Sequence, residues 1–342
     1  MPLPTPLRLG LVGTGRIGTA HARVIAEQVP GAVLAAVADA RPGAAAPLAD
    51  AYDAVAFDVP QALIDSPDVD AVVITASSTA HSDLITAVAG AGKPVFCEKP
   101  ASMTLAEMDR ALAAVEAAGT TLQVGFNRRF DAGFVAAHAA VVAGDLGQVQ
   151  LMRSLTRDPG LANPAAVPPW TVFTQTLIHD FDALLWLNPG ASPVEVYATA
   201  DALVAPDFKD AGLLDTAVVV ITFDDGARAV AEASFSAAYG YDVRAEVFGS
   251  AGMVTVGDGA RSSARFSTSR GAHHDTARGD VELMGEAYAG ELREFVAAVR
   301  EDREPAVTGR DARRALAVAL ACVESVQAHA PVAVTEARAV TR

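Results

Sequence analysis

Leu7-Arg8-Leu9-Gly10-Leu11-Val12 runs directly into Gly13-Thr14-Gly15-Arg16-Ile17-Gly18, and an apolar-periodic segment follows to about Glu27. A short continuous apolar run, a glycine-rich turn and then a helix is the order a dinucleotide fingerprint requires. Gly13 permits the tight turn, Gly15 lets the backbone approach a pyrophosphate, and Gly18 permits close helix packing. The helix N-terminus, at Arg16 and Ile17, offers unpaired N–H donors to phosphate. The Arg16 side chain either lies over the pyrophosphate or faces solvent.

Working outward from this turn, apolar runs recur at Val33–Ala38, Val69–Thr75, Pro94–Cys97 and Thr121–Gly125, separated by Ala-rich helical segments. Continuous apolar runs read as strands buried on both faces, hence a doubly wound parallel sheet. Asp39 ends the second run, 21 residues after Gly18, where a carboxylate accepts hydrogen bonds from the adenosine ribose and repels a 2′-phosphate. That favours NAD. Arg41, two residues on, would instead suit the phosphate of NADP, which stays possible.

After about residue 145 the pattern changes. Gln148–Thr156, Val194–Ala200, Thr216–Phe223, Ala227–Phe235, Val243–Phe248 and Met253–Val256 read as strands, and Asp224-Asp225-Gly226 is a hairpin turn. The second part is therefore α+β with a mainly antiparallel open sheet, giving a nucleotide-binding domain at residues 1–125 and a substrate-binding and oligomerisation domain at 126–342, whose C-terminal helix is able to pack back on the first. Two helices, about Glu286–Arg300 and Asp311–Gln327, close the chain, and the polar stretch Arg261–Asp280 reads as a mobile loop. His273-His274 lies within it without a carboxylate or Cys spaced to complete a metal site, so no metal is expected.

Composition bounds the function. The 342 residues are 51% hydrophobic and 20% charged, enough for about two self-sufficient cores. A formal charge of -15, from 41 acidic against 26 basic residues, repels a phosphate backbone and argues against a nucleic-acid partner. Cys97 and Cys322 have no metal-like spacing and fit a reducing compartment. Met1–Pro6 lacks the basic and apolar regions of a secretion signal, and no segment gives about 18 uncharged apolar residues. A cytoplasmic protein with no membrane partner is expected.

Only Lys93, Lys99 and Lys209 are lysines. Lys99, in Glu98-Lys99-Pro100, sits at the carboxyl edge of the parallel sheet, where such folds bind ligands. A compact ammonium with an adjustable pKa suits a reactive site. Thr174–Leu187 reads as one helix with Gln175, His179 and Asp182 on a shared face. Oxidation of a secondary alcohol by hydride transfer must also remove the hydroxyl proton. His179 is suited to that by its near-neutral pKa, and Lys99 can orient the hydroxyl.

The chain resembles the Gfo/Idh/MocA oxidoreductases, and among them bacterial inositol 2-dehydrogenases. The resemblance rests on Gly13–Gly18 with His21, Ala91-Gly92-Lys93-Pro94 leading to Cys97-Glu98-Lys99-Pro100, Gln123–Asp131, Arg157-Asp158-Pro159, Ile178-His179-Asp180-Phe181-Asp182 and Tyr239-Gly240-Tyr241-Asp242. Glu286-Ala287-Tyr288 and the closing Asp311–Ser325 helix also match. It implies a Rossmann domain, a C-terminal domain whose open sheet forms subunit contacts, and a homo-oligomer, a tetramer or a dimer. It further implies that Lys99 and His179 are the catalytic pair, that Arg128 and Tyr239 touch substrate, and that Glu98 and the Ala76-Ser77-Ser78 turn, with Ser77, contact the cofactor. The implied substrate is a cyclic polyol or sugar. Another inositol isomer, an aldose or a sugar derivative is the alternative, and a non-catalytic NAD-binding sensor is a third reading. One position departs from the pattern: Gln175 stands where inositol dehydrogenases carry an aspartate, and an amide cannot stabilise an imidazolium by charge.

Overall fold

The computed structural model describes residues 5–262 and 264–335. Met1–Pro4, on which the absence of a leader was partly read, lie outside them. Six strands form the first sheet: β1 (Leu7–Val12), β2 (Ala32–Ala38), β3 (Val55–Phe57), β4 (Ala71–Ile74), β5 (Val95–Glu98) and β6 (Leu122–Gly125). All pair in parallel, in the order β3-β2-β1-β4-β5-β6. This is the doubly wound Rossmann arrangement, whose switch point lies between β1 and β4. β4 and β5 are buried along their whole length, which explains their unbroken Val, Ile, Phe and Cys content. β3 escaped the sequence reading because it is only three residues long, at a sheet edge, and two of them are exposed.

The helices of this sheet are α1 (Arg16–Gln28), α2 (Ala46–Ala51), α3 (Pro60–Asp65), α4 (His81–Gly90) and α5 (Leu105–Ala118). Thr104 caps α5 by accepting from Glu107 N at 3.2 Å, and Gly119 ends it in the left-handed region, φ 63°. Next come α6 (Ala132–Ala143), α7 (Ile178–Trp186), α8 (Asp280–Leu283), α9 (Gly285–Glu301) and α10 (Gly309–Ala328).

The chain does not divide at a single point. One compact unit takes in the chain up to Phe130 together with Glu286–Arg313, and the other takes in Asp131–Gly285 and the chain from Arg314 onward. α9, from within residues 126–342, packs with the first unit. Its apolar stripe, Ala289, Leu292, Phe295 and Val296, joins Leu9, Leu11, Ile25, Val37, Val73 and Phe96 in one buried cluster. Burying side chains such as Leu292 and Phe295 stabilises by about 1.5–3 kcal/mol each.

The second unit is built on β7 (Val149–Arg157), β8 (Pro193–Asp201), β9 (Thr216–Phe223), β10 (Arg228–Ser234), β11 (Asp242–Gly249) and β12 (Met253–Val256). With the two-residue strand Val332–Ala333 they form a seven-stranded sheet. All pairs are antiparallel except β7 with β10. β9 and β10 are joined through Asp224-Asp225-Gly226, with Gly226 at φ 93°.

Two expectations are corrected. Within Arg261–Asp280, Phe266–Thr268 and Gly271–His273 pair as an antiparallel hairpin, extended by a bridge between Ala260 and Thr276. Its six residues are all exposed, so no apolar alternation marked it. Thr174–Leu187 is not one α-helix either: a π-helical turn over Val172–Thr176 precedes α7. Leu177 N accordingly donates five residues back, to Val172 O at 2.9 Å.

Candidate active site

In the first unit the glycine turn has the geometry a bound dinucleotide needs. Gly13 has φ 104°, and a Cβ there would meet Ala76 N at 2.6 Å. A Cβ on Gly18 would meet Gly13 O at 2.0 Å, so α1 packs against the turn only because that side chain is missing. A Cβ on Gly15 would meet no atom within 4 Å. The turn is tied down from both neighbouring strands: Gly13 N donates to Ala38 O at 2.8 Å and Thr75 Oγ1 to Gly13 O at 2.7 Å. Arg16 and Ile17 open α1, which has no side-chain cap at Gly15, and the first turn of a helix favours an anion.

Asp39 lies just past β2 and its carboxylate is heavily occupied. Thr14 donates to Oδ2 from N (2.9 Å) and Oγ1 (2.8 Å). Arg41 donates from N and Nε to Oδ1 (2.9 and 3.0 Å) and from Nη2 to Oδ2 (3.1 Å). The guanidinium hydrogen bond above all holds the Asp39 carboxyl far below the usual carboxylate range. A carboxylate offers about four lone-pair sites, so a ribose diol must displace Arg41 to reach Asp39. The Arg41 side chain, 71% exposed, is free to swing away.

Ser77, exposed, starts the turn after β4, and Lys99 follows β5, so both stand at the carboxyl edge with Gly13 and Asp39. His81 links these two loops: its Nδ1 lies 2.8 Å from Pro100 O and its Nε2 3.0 Å from Ala76 O. Burial pushes the His81 imidazole down, against the pull of those two carbonyls.

Glu98 is only 6% exposed and points into the protein. Its Oε1 accepts from His21 Nε2 at 2.7 Å, and its Oε2 accepts from Lys99 N at 3.1 Å. Glu291 of α9 lies beside them, wholly buried. His21 stood in the motif carrying the resemblance but had no assigned role, and Glu291 was missed. Its signal was a carboxylate on the apolar stripe of α9, between Tyr288 and Leu292. Arg128, expected at substrate, lies in the 3₁₀ turn Asn127–Phe130 and is 2% exposed.

In the second unit, Gln175 falls in the π turn and His179 in the first turn of α7; both are half-buried, whereas Asp182 is fully buried. Gln175 and His179 thus belong to two different helical segments. Asp180, not singled out from the sequence, anchors this helix: its carboxylate accepts from Ser154 Oγ at 2.5 Å and Thr156 Oγ1 at 2.7 Å, both on β7. Both hydrogen bonds are buried. They fix the backbone from which His179 projects. Tyr239, 46% exposed, donates its hydroxyl to Asp242 Oδ2 at 2.7 Å, while Arg244 clasps the same carboxylate and Arg157 approaches the phenol at 3.4 Å.

Among the described residues no helix is long and apolar enough to cross a membrane. The model of an oxidoreductase family with an NAD-binding Rossmann fold matches residues 7–126, and that of its C-terminal alpha/beta domain matches residues 139–334. The chain is 36% identical to a myo-inositol 2-dehydrogenase of Thermotoga maritima, over 94% of this chain and 96% of that protein. It is 38% identical to an inositol 2-dehydrogenase of Rhizobium meliloti, over 94% and 97%. A crystal structure of scyllo-inositol dehydrogenase from Lactobacillus casei, with bound NAD(H) and scyllo-inositol, superposes with a TM-score of 0.92 at 26% identity, covering 96% of this chain and 99% of that one. With both domains matched in order around the Gly13–Gly18 turn and the Glu98-Lys99-Pro100 edge, the chain belongs to the Gfo/Idh/MocA oxidoreductase family.

Proposed function

We propose that the protein is an NAD-dependent dehydrogenase that oxidises one secondary hydroxyl of a cyclic polyol, an inositol in the first instance. The observation that carries this reading is the single sheet edge that presents the Gly13–Gly18 cradle, Asp39 and Lys99 together. The cradle fits the cofactor: the approach over Gly15 is open, and α1 starts there with no side-chain cap, where a helix N-terminus favours phosphate. NAD, when bound, accepts the hydride.

The chain's own residues would do the rest. Asp39, once Arg41 swings aside, receives the adenosine ribose hydroxyls, which favours NAD over NADP. The Lys99 ammonium holds the reacting hydroxyl and stabilises the oxygen as its proton leaves. His179 takes that proton, from a helix that Asp180 holds in place. Arg128, Gln175 and Tyr239 are proposed to bind the remaining hydroxyls. Gln175 in place of a carboxylate weakens support for a protonated His179, which points to a substrate or isomer preference of its own. A panel of inositol isomers and aldoses, followed by absorbance of the reduced nicotinamide with NAD and NADP in parallel, tests the reading. Turnover of no polyol with either cofactor would reject it.

A homo-oligomer working in the cytoplasm is the fitting context. On the sheet face away from the helices, cross-strand registers align Tyr197 with Val220, and Leu151 with Phe248 and Met253. All five are well exposed, a patch suited to a second copy of the chain. Light scattering on the purified protein decides it; a monomer at micromolar concentration would overturn it.

A further inference from the structure

Beneath the Lys99 loop, three titratable side chains from three elements meet out of water: His21 of α1, Glu98 of β5 and Glu291 of α9, exposed by 1%, 6% and 0%. One ligand atom from each lies within 4.8 Å of the others. His21 Nε2 is 2.7 Å from Glu98 Oε1 and 3.9 Å from Glu291 Oε1. The edges of Phe96 and Tyr288 wall the imidazole, each ring centroid 5.6 Å away. Neither carboxyl oxygen of Glu291 has a hydrogen-bond partner.

Two carboxylates sharing so small and dry a site cannot both be ionised. Hydrogen bonding decides which one is. Burial pushes Glu98 up, but the His21 hydrogen bond above all, with the Lys99 ammonium nearby, outweighs it, and the carboxyl ends below its ordinary value. Glu291 has no such help: burial, and then the Glu98 charge, push it well above. Two further groups face the site. His81 of α4 is pushed toward its neutral form by burial, and the Cys97 thiol is held neutral by burial beside Glu98. Glu98 is thus the anion of the cluster, and its Oε2 accepts from Lys99 N at 3.1 Å.

We propose that His21 is a positioning residue that acts through the buried Glu98 carboxylate to keep Lys99 in its ammonium form, with Glu291 beside the pair as a neutral acid. The inference deepens the reading of Lys99 as the group that acts on the substrate hydroxyl, and it rests on that reading for its consequence in turnover. Its physical core does not. An ionised Glu98 adjoining Lys99 stabilises the ammonium, and loss of the His21 donor lets Glu98 take up a proton in the low-dielectric interior, which removes that stabilisation.

The test uses the full chain without substrate or cofactor. The rate at which an amine-selective acylating reagent modifies Lys99 is followed against pH by peptide mass spectrometry, with Lys93 and Lys209, the other two lysines, as internal references. In His21→Leu the midpoint for Lys99 should fall by about 1–3 units, the range over which an adjacent opposite charge acts. His21→Gln, which retains an N–H donor, should restore more than half of the shift. Glu291→Gln replaces a neutral acid by a neutral amide and should leave the midpoint within about 0.3 units, far inside that range. If His21→Leu does not fold, Glu98→Gln should give the same downward shift. An unmoved midpoint in His21→Leu and Glu98→Gln overturns the proposal, as does an equal shift in Glu291→Gln or a stoichiometric divalent ion retained by the cluster. Because the labelling needs no turnover, failure of the dehydrogenase assignment and failure of this inference are read in separate experiments.

Discussion

Replacing Glu291 by glutamine removes a proton that the folded protein must hold on a group with no exposed surface and no hydrogen-bond partner. In the unfolded chain a glutamate titrates near 4.3, and each pH unit of difference between the two states is worth about 1.4 kcal/mol. The folded carboxyl lies well above that value because of burial and the Glu98 charge. A group raised on folding contributes fully below its unfolded value, and its contribution is lost as pH rises toward the folded one. For each pH unit between the unfolded and the folded value, the native protein gives up about 1.4 kcal/mol relative to the glutamine variant. For a domain of this size about 1 kcal/mol moves Tm by about 2–4 °C. The advantage of Glu291→Gln in Tm should thus grow by about 3–6 °C per pH unit as pH rises from about 5 toward the folded value. Thermal unfolding of both proteins across that range measures it. Parallel Tm profiles would mean that Glu291 is ionised in the native state, and the charge assignment of the cluster would fall with them.

Lys99→Ala should lower turnover by about 10²- to 10⁴-fold while NAD binding, followed by calorimetry, persists; near-native turnover removes Lys99 from the chemistry. Asp39→Ala frees the Arg41 guanidinium that the carboxylate now neutralises, so the ratio of kcat/KM for NADP to that for NAD should rise, and an unchanged ratio refutes the ribose assignment. Asp180→Ala leaves Ser154 and Thr156 without their buried acceptor. Two bonds to a buried acceptor predict a loss of about 3 kcal/mol or more in urea unfolding, and an unchanged midpoint shows that α7 is held otherwise.

Much of the first unit was legible because its constraints are local. Gly13 and Gly18 are required by backbone approach over a few residues, and β4 and β5 declare themselves by unbroken apolar runs. The Asp224-Asp225-Gly226 hairpin is equally local. What escaped depends on partners distant in sequence or on backbone geometry that side-chain pattern does not record. The π turn before α7 changes the rotation per residue without changing composition, so Thr174–Leu187 read as a single α-helix. The role of Asp180 requires Ser154 and Thr156, and that of His21 requires Glu98 and Glu291, contacts that span 24 or more residues. The hairpin near His273 is hidden because exposed strands carry no hydrophobic alternation.

The membership of α9 in the nucleotide-binding core bears on how the protein is made. Translation delivers the six parallel strands first, yet the cluster that covers them still lacks Leu292, Phe295 and Val296. Glu286 is 156 residues beyond Phe130, and at about 5–20 residues per second the ribosome needs about 8–30 s to cross that interval. During that time the nascent sheet exposes the apolar surface that α9 will cover, a substrate for chaperones rather than a finished domain. A gene fragment ending at residue 130 encodes an incomplete fold, and a stand-alone nucleotide-binding module requires α9 to be appended to it.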